Sequence, residues 1–141
     1  MNLIDTNILS TFAKINRLDI LFEVLGDDTL HISPNVLTEL RFALDRGYEF
    51  CDEIFRLVDK KKIHVVSLTH EEHVLALKLP RIFGKGELDS LALCLSRKWK
   101  MVTNERKVVN FCKEHNIEYV TLTHILRALW ELEVMSKTQV K

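Results

Sequence analysis

A chain of 141 residues, 47% hydrophobic and 28% charged, carries enough apolar surface for a packed core and too much for a disordered segment. Its 20 basic and 20 acidic residues cancel, so no long-range field draws it to nucleic acid or an anionic surface, and any polyanion must be held by local groups. Cys51, Cys94 and Cys112 are odd in number and lack CxxC spacing, which predicts reduced thiols rather than a disulfide framework.

At this length one domain over residues 1–141 is expected, burying about two thirds of the surface that its unfolded form exposes. No repeat, low-complexity tract or Gly/Pro/Ser linker divides it. No basic segment leads into an apolar run at the N-terminus, and no apolar stretch nears the roughly 18 residues of a membrane span. A cytoplasmic protein without membrane contact is therefore expected.

The chain opens with the apolar strand LID (3–5), followed by helical periodicity through Leu25. Between them stand Asp5, Thr6 and Asn7, three good N-cap residues where one helix needs a single cap. Ligands of α/β folds bind at the carboxyl ends of parallel strands, which makes Asp5 a candidate site residue as well as a cap. LHIS (30–33) reads as the second strand, with Ser33 as cap and Pro34 as first residue of a helix carrying Val36, Leu37, Leu40, Ala43 and Leu44. A further helix is expected near 49–60, and the β-branched run IHVVSL (63–68) reads as a strand. THEEHVLALKL forms the next helix. GELDSLALCLSRKW then places Leu88, Leu91, Ala92, Leu95 and Trp99 on one helical face. KMVT is a strand, ERKVVNFCKEH a helix and IEYV a strand. An amphipathic helix with Ile125, Leu126, Leu129 and Leu132 closes the chain, Leu126 and Leu129 being read as core. Strands that alternate with helices predict an α/β fold: a five-stranded parallel sheet with helices on both faces.

Four acids fall near strand ends or on the flanks of buried helix faces. Asp5 ends the first strand; Glu39 lies between Val36 and Ala43; Asp89 precedes Ala92 by three; Glu105 follows MVT. Glu87 points about 200 degrees away from Asp89 on a regular helix, so the two share one target only if Glu87 lies in an irregular first turn, and Asp89 is preferred. Three basic patches, Lys60–Lys62, Arg97-Lys98 with Lys100, and Arg106-Lys107, read singly as solvated ends or loops. Gly84-Lys85-Gly86 lacks the ending of a P-loop and is a flexible helix entry with Lys85 as a phosphate contact. Neither His70 with His73 nor Cys112 with His115 completes a zinc set, and no GxGxxG follows the first strand, so zinc and a dinucleotide are not expected.

With these residues in place the chain resembles the PIN domains, metal-dependent ribonucleases that include the VapC-type toxins. LIDTNILSTF looks like the opening motif, with Asp5 as its acid and Asn7 as a supporting polar group; VLTEL places Glu39; GELDSLALCLS places Asp89, with Glu87 as the extra acid seen in some branches. KMVTNERKV resembles the fourth, in which a Thr stands two positions before the last acid, here Thr103 and Glu105. The family more often has Asp there, and either Glu105 or the neighbouring Asn104 fills the position. The resemblance implies Mg²⁺ or Mn²⁺, single-stranded RNA as substrate, a homodimer and, for a toxin, a small antitoxin that blocks the acidic cleft.

Physical chemistry gives such a cluster a reason. Two carboxylates about 4 Å apart repel by roughly 4 kcal/mol at an effective dielectric near 20, so converging acids either protonate or hold a cation, and hard oxygen ligands favour Mg²⁺ or Mn²⁺. Asp5, Glu39 and Asp89, with Glu87 as the extra acid, are expected to hold metal directly or through water, and Glu105 to serve a second ion or the outer shell. Lys85, Arg106 and Lys107 are the candidate substrate contacts. The reading is an endoribonuclease of the toxin type; an RNA-maturation nuclease, a receiver-like Mg²⁺ pocket using Asp5 with Lys100 or Lys107, and a non-catalytic binding module are the alternatives.

Overall fold

A computed structural model describes residues 1–26 and 29–140, with side chains through Glu133. Five short strands, β1 (Asn2–Ile4), β2 (Leu30–Ile32), β3 (Ile63–Val65), β4 (Lys100–Val102) and β5 (Tyr119–Val120), form one parallel sheet in the order β3-β2-β1-β4-β5. Around it lie α1 (Thr6–Lys14), α2 (Asp19–Leu25), α3 (Pro34–Asp45), α4 (Cys51–Asp59), α5 (His70–Lys78), α6 (Lys85–Arg97), α7 (Arg106–Glu114) and α8 (Leu122–Val140).

The pleat sends alternate strand residues to opposite faces, and each face has its own core. Ile4, Ile32 and Val102 pack with Ile8, Phe12, Leu21, Leu40, Ile54 and Ile125 from α1, α2, α3, α4 and α8. Leu3 and Met101 pack instead with Leu91, Cys94, Val108 and Phe111 from α6 and α7. The α/β prediction therefore holds in its main point: a parallel sheet with helices on both faces. Cys51, Cys94 and Cys112 are buried and free, and burial pushes the Cys112 thiol up to about 11. Among the described residues no helix is long and apolar enough to cross a membrane.

Local chemistry sets the boundaries. Ser33 Oγ accepts from the Val36 amide at 3.3 Å and Pro34 opens α3 as predicted. A reciprocal pair of bonds between Thr69 and Glu72 starts α5.

Five expectations need correction. The first helix does not run through to Leu25: it stops at Lys14, with Asn16 in the left-handed region at φ 57°, and a new helix starts at Asp19. The IHVVSL strand is only Ile63–Val65, although Val66 N–H still donates to Ile32 O at 2.9 Å, and IEYV narrows to Tyr119–Val120. Trp99 is not part of the α6 face, because Lys98 turns left-handed at φ 58° and sends the tryptophan against His31, ring centroids 5.5 Å apart. Leu126 is 50% exposed rather than core, whereas Leu129 packs against the first cluster.

Candidate active site

In a parallel sheet all strand carboxyl ends open on one rim, and three of them supply the site. β1 ends at Asp5, β4 runs into Thr103 and Glu105, and β2 delivers the start of α3, which carries Glu39 one turn further on. From the other face, the first turn of α6 brings Glu87. Asp5, Glu39, Glu87 and Glu105 line one hollow of about 260 Å³ together with Thr6, Asn7, Gly84 and Lys107.

Asp5 is the most constrained of the four. Its backbone N–H donates to Val102 O at 2.9 Å, which locks it to β4. Its side chain is 4% exposed; Oδ1 accepts from the Thr6 amide at 2.8 Å and Oδ2 from the Thr103 hydroxyl at 3.0 Å. Burial is the main force that raises its pKa, to about 6, with the Glu87 and Glu39 carboxylates pushing the same way and the Thr103 and Thr6 bonds opposing. The Thr103 hydroxyl also accepts from the Glu105 amide at 3.1 Å, so one buried oxygen positions two acids.

The other carboxylates rest on donors of their own. Glu39 accepts from the Thr6 hydroxyl at 2.7 Å and from the Gly86 amide at 3.2 Å. Glu87, in the first turn of α6, accepts from the Gly84 amide at 2.9 Å and lies 3.4 Å from Lys107 Nζ. Glu105 accepts from Asn7 Nδ2 at 2.9 Å. Gly86 is glycine because α3 and α6 approach closely there: a Cβ would stand 2.6 Å from Glu39 Oε1 and 3.1 Å from Val36 Cγ2. Sequence pattern offers Thr6 only as a cap and Gly86 only as part of a flexible helix entry; a hydroxyl just after one acid and a small residue beside another were the signals for their contacts with Glu39.

Three strand ends and the first turn of α6 thus meet in one arrangement, and the chain's relatives say what kind it is. A family model described as a PIN domain matches residues 1–141. This chain belongs to the PIN domain family. PIN domains are typically nucleases. Solved structures share the fold, two of them as follows. The crystal structure of VapBC2 from Rickettsia felis bound to a DNA fragment from their promoter aligns with a TM-score of 0.63 at 14% identity, covering 85% of this chain and 97% of that one. A PilT N-terminus domain protein from the hyperthermophilic archaeon Sulfolobus solfataricus P2 aligns with a TM-score of 0.55 at 13% identity, covering 90% of this chain and 91% of that one. Among curated proteins none matches this chain.

The remaining sequence candidates in this PIN domain lie elsewhere. Asp89 is buried but does not line the acid hollow; its Oδ2 accepts from Asn35 Nδ2 at 2.7 Å and from the Asn35 amide at 3.3 Å. Lys85 lines the same separate hollow as Asp89, while Asn104 and Arg106 are exposed and line neither. Lys107 alone of the expected basic contacts borders the acids, held by Ile82 O at 2.9 Å. The helical offset between Glu87 and Asp89 is real, and the structure turns Glu87 toward Asp5 because its first-turn side chain folds back on Gly84.

Among the described residues no three His, Cys, Asp or Glu side chains converge closely enough to hold one ion as they stand. The reason is visible in the bonds above, which turn every carboxylate toward its own donor. The donor set nevertheless suits a hard cation: four carboxylates without thiol or imidazole, around a buried acid whose charged form is disfavoured by burial and by two facing carboxylates.

Proposed function

We propose that this PIN domain is a Mg²⁺- or Mn²⁺-dependent endoribonuclease that hydrolyses single-stranded RNA and serves as the toxin of a VapBC-type pair. The observation that carries the reading is Asp5: a buried strand-end acid whose pKa is raised to about 6 with Glu87 and Glu39 facing it. Such a group is costly as a bare carboxylate and is stabilised by a cation. Asp5, Glu39 and Glu87 would hold the ion, and Glu105 would serve its outer shell or a second ion. When bound, the ion neutralises a scissile phosphate and lowers the pKa of a water.

The protein's own groups do the positioning. Thr103 fixes Asp5 and Glu105 relative to each other, Thr6 steadies Glu39, and Asn7 steadies Glu105. Lys107 supplies the nearest positive charge for a phosphate oxygen. Asp89 is assigned no part in holding the ion, since Asn35 occupies it. The VapBC2 likeness supports an antitoxin that closes the acid hollow, and the exposed Leu126 and Trp130 of α8 would be covered in a homodimer. Lys100, named in the receiver-like alternative, lies 3.7 Å from Glu118 at the start of β4, the end remote from Asp5.

Cleavage of a single-stranded RNA in Mg²⁺ or Mn²⁺, abolished by excess EDTA and restored by added metal, is the expected result. Undiminished cleavage in EDTA would overturn the metal assignment, and a neighbouring reading frame without a short antitoxin would remove the toxin assignment.

A further inference from the structure

Beside the acid hollow, between α5 and the first turns of α3 and α6, lies a second hollow of about 300 Å³. Its walls are mainly apolar, from Ala76, Leu77 and Leu88, and its polar groups are Asn35, His73, Lys85 and Asp89. Asp89 is 6% exposed and lines this space. Both of its hydrogen bonds, from the Asn35 amide and Nδ2, go to Oδ2, which leaves Oδ1 without one among the described residues. An apolar slot ending in an acceptor suits a flat group with an N–H edge.

The slot adjoins the acid hollow without sharing a lining residue with it. Asn35, bonded to Asp89, and Glu39, bonded to Gly86, stand one turn apart on α3. Residues so spaced are about 5–6 Å apart, near the separation of a base from the adjoining phosphate. Lys85 is exposed at the mouth, where a phosphate oxygen would pass.

We propose that this slot receives one nucleobase of the RNA strand, guanine by preference, so that the adjoining phosphate lies over the acid hollow. The proposal rests on the nuclease reading and specifies its substrate. A carboxylate accepts and never donates, and guanine alone among the four bases has two adjacent N–H donors on its pairing edge. Lys85 beside the slot repels a cationic side chain from a protein partner, which favours a neutral base.

The test uses uridine-rich oligoribonucleotides that differ at one position, G, A, C or U, with cleavage and equilibrium binding measured for wild type, Asp89→Asn and Leu77→Ala. Leu77 is 83% exposed, so its truncation leaves the fold intact. Wild type should have the lowest KM on the G strand. Asp89→Asn should raise that KM about tenfold, level the preference among bases and leave kcat within about twofold. Leu77→Ala should raise KM about threefold on all four strands, and it keeps the test decisive should Asp89→Asn fail to fold. Cleavage without base preference, or a preference that survives both variants, overturns the slot and leaves the nuclease reading standing. A kcat loss in Asp89→Asn that is equal on all strands puts Asp89 in the metal machinery and overturns it too. So does loss of binding to an arginine-rich peptide in Asp89→Asn with KM for RNA unchanged, which gives the slot to a protein partner. If wild type cleaves none of the strands, the nuclease reading falls and this proposal with it.

Discussion

Burial and two facing carboxylates hold the proton on Asp5 up to about pH 6, whereas in the unfolded chain it leaves near 3.8. A raised carboxyl pKa means that the folded form binds the proton more tightly. This group's contribution is therefore full below pH 3.8 and lost as pH rises through about 6. The loss at neutral pH is of order 3 kcal/mol, from about two pK units at 1.36 kcal/mol each. Asp5→Asn, which keeps a cap of equal quality, should thus make the metal-free protein more stable at pH 7.5 and change little at pH 4. Urea melts of both proteins at the two pH values check this. A variant no more stable than wild type at pH 7.5 would mean that the Asp5 charge costs nothing. If Asp5 holds the proposed cation, Mn²⁺ should reverse the order, because the variant would lack that ligand. That Asp5 stands at a strand end on the rim was legible in the sequence because it ends an apolar strand. Which of Glu87 and Asp89 lines the hollow was not, since it depends on whether a first-turn side chain folds back on Gly84, a matter of tertiary crowding at the Gly86 contact with Glu39.

Among the elements, the seam between α5 and α6 depends on a buried ion pair. Glu72 is 2% exposed, and Arg97 Nε and Nη2 donate to its two oxygens at 2.9 Å each, with Nη2 also reaching Ser67 O at 3.1 Å. The Arg97 bonds hold the Glu72 carboxyl down to about 2. A depressed carboxyl pKa gives stability that is present above the unfolded value of 4.5 and is lost as pH falls through about 2. Arg97→Met should destabilise by about 3 kcal/mol at pH 7, the low end for a broken buried pair because Arg97 is partly exposed, and by less than half of that at pH 3. A penalty equal at both pH values, read from urea melts, would point to lost packing over Trp99 instead of lost charge. The sequence shows Arg97 only as part of a basic patch, because a partner 25 residues away is set by helix packing and not by local pattern. Element types were legible throughout from period and caps. Boundaries failed where one residue turned left-handed, at Asn16 and Lys98, a conformation that apolar periodicity does not report.

For the molecule as a whole, the acid hollow is a store of unfavourable charge that a ligand can relieve. A cation bound only by the native state at a hundredfold excess over Kd adds about 2.7 kcal/mol, roughly a 10 °C rise in Tm for a chain of this size. Thermal melts with EDTA and with Mn²⁺ should show that rise in wild type and little of it in Asp5→Asn. Equal midpoints for wild type in both conditions would remove the cation from the site.

Strand order has a consequence in time. Asp5 is synthesised well before its partners: the carbonyl that anchors its amide is on Val102 and the hydroxyl that orients its carboxylate is on Thr103, 98 positions later. Parallel pairing of β1 with β4 across that distance is slow, and it cannot begin before β4 exists. Until β4 has been made, Asp5 lacks the two groups that fix it and the acid hollow cannot form. The chemistry of the site therefore waits on the fourth strand, however early its first acid is in place.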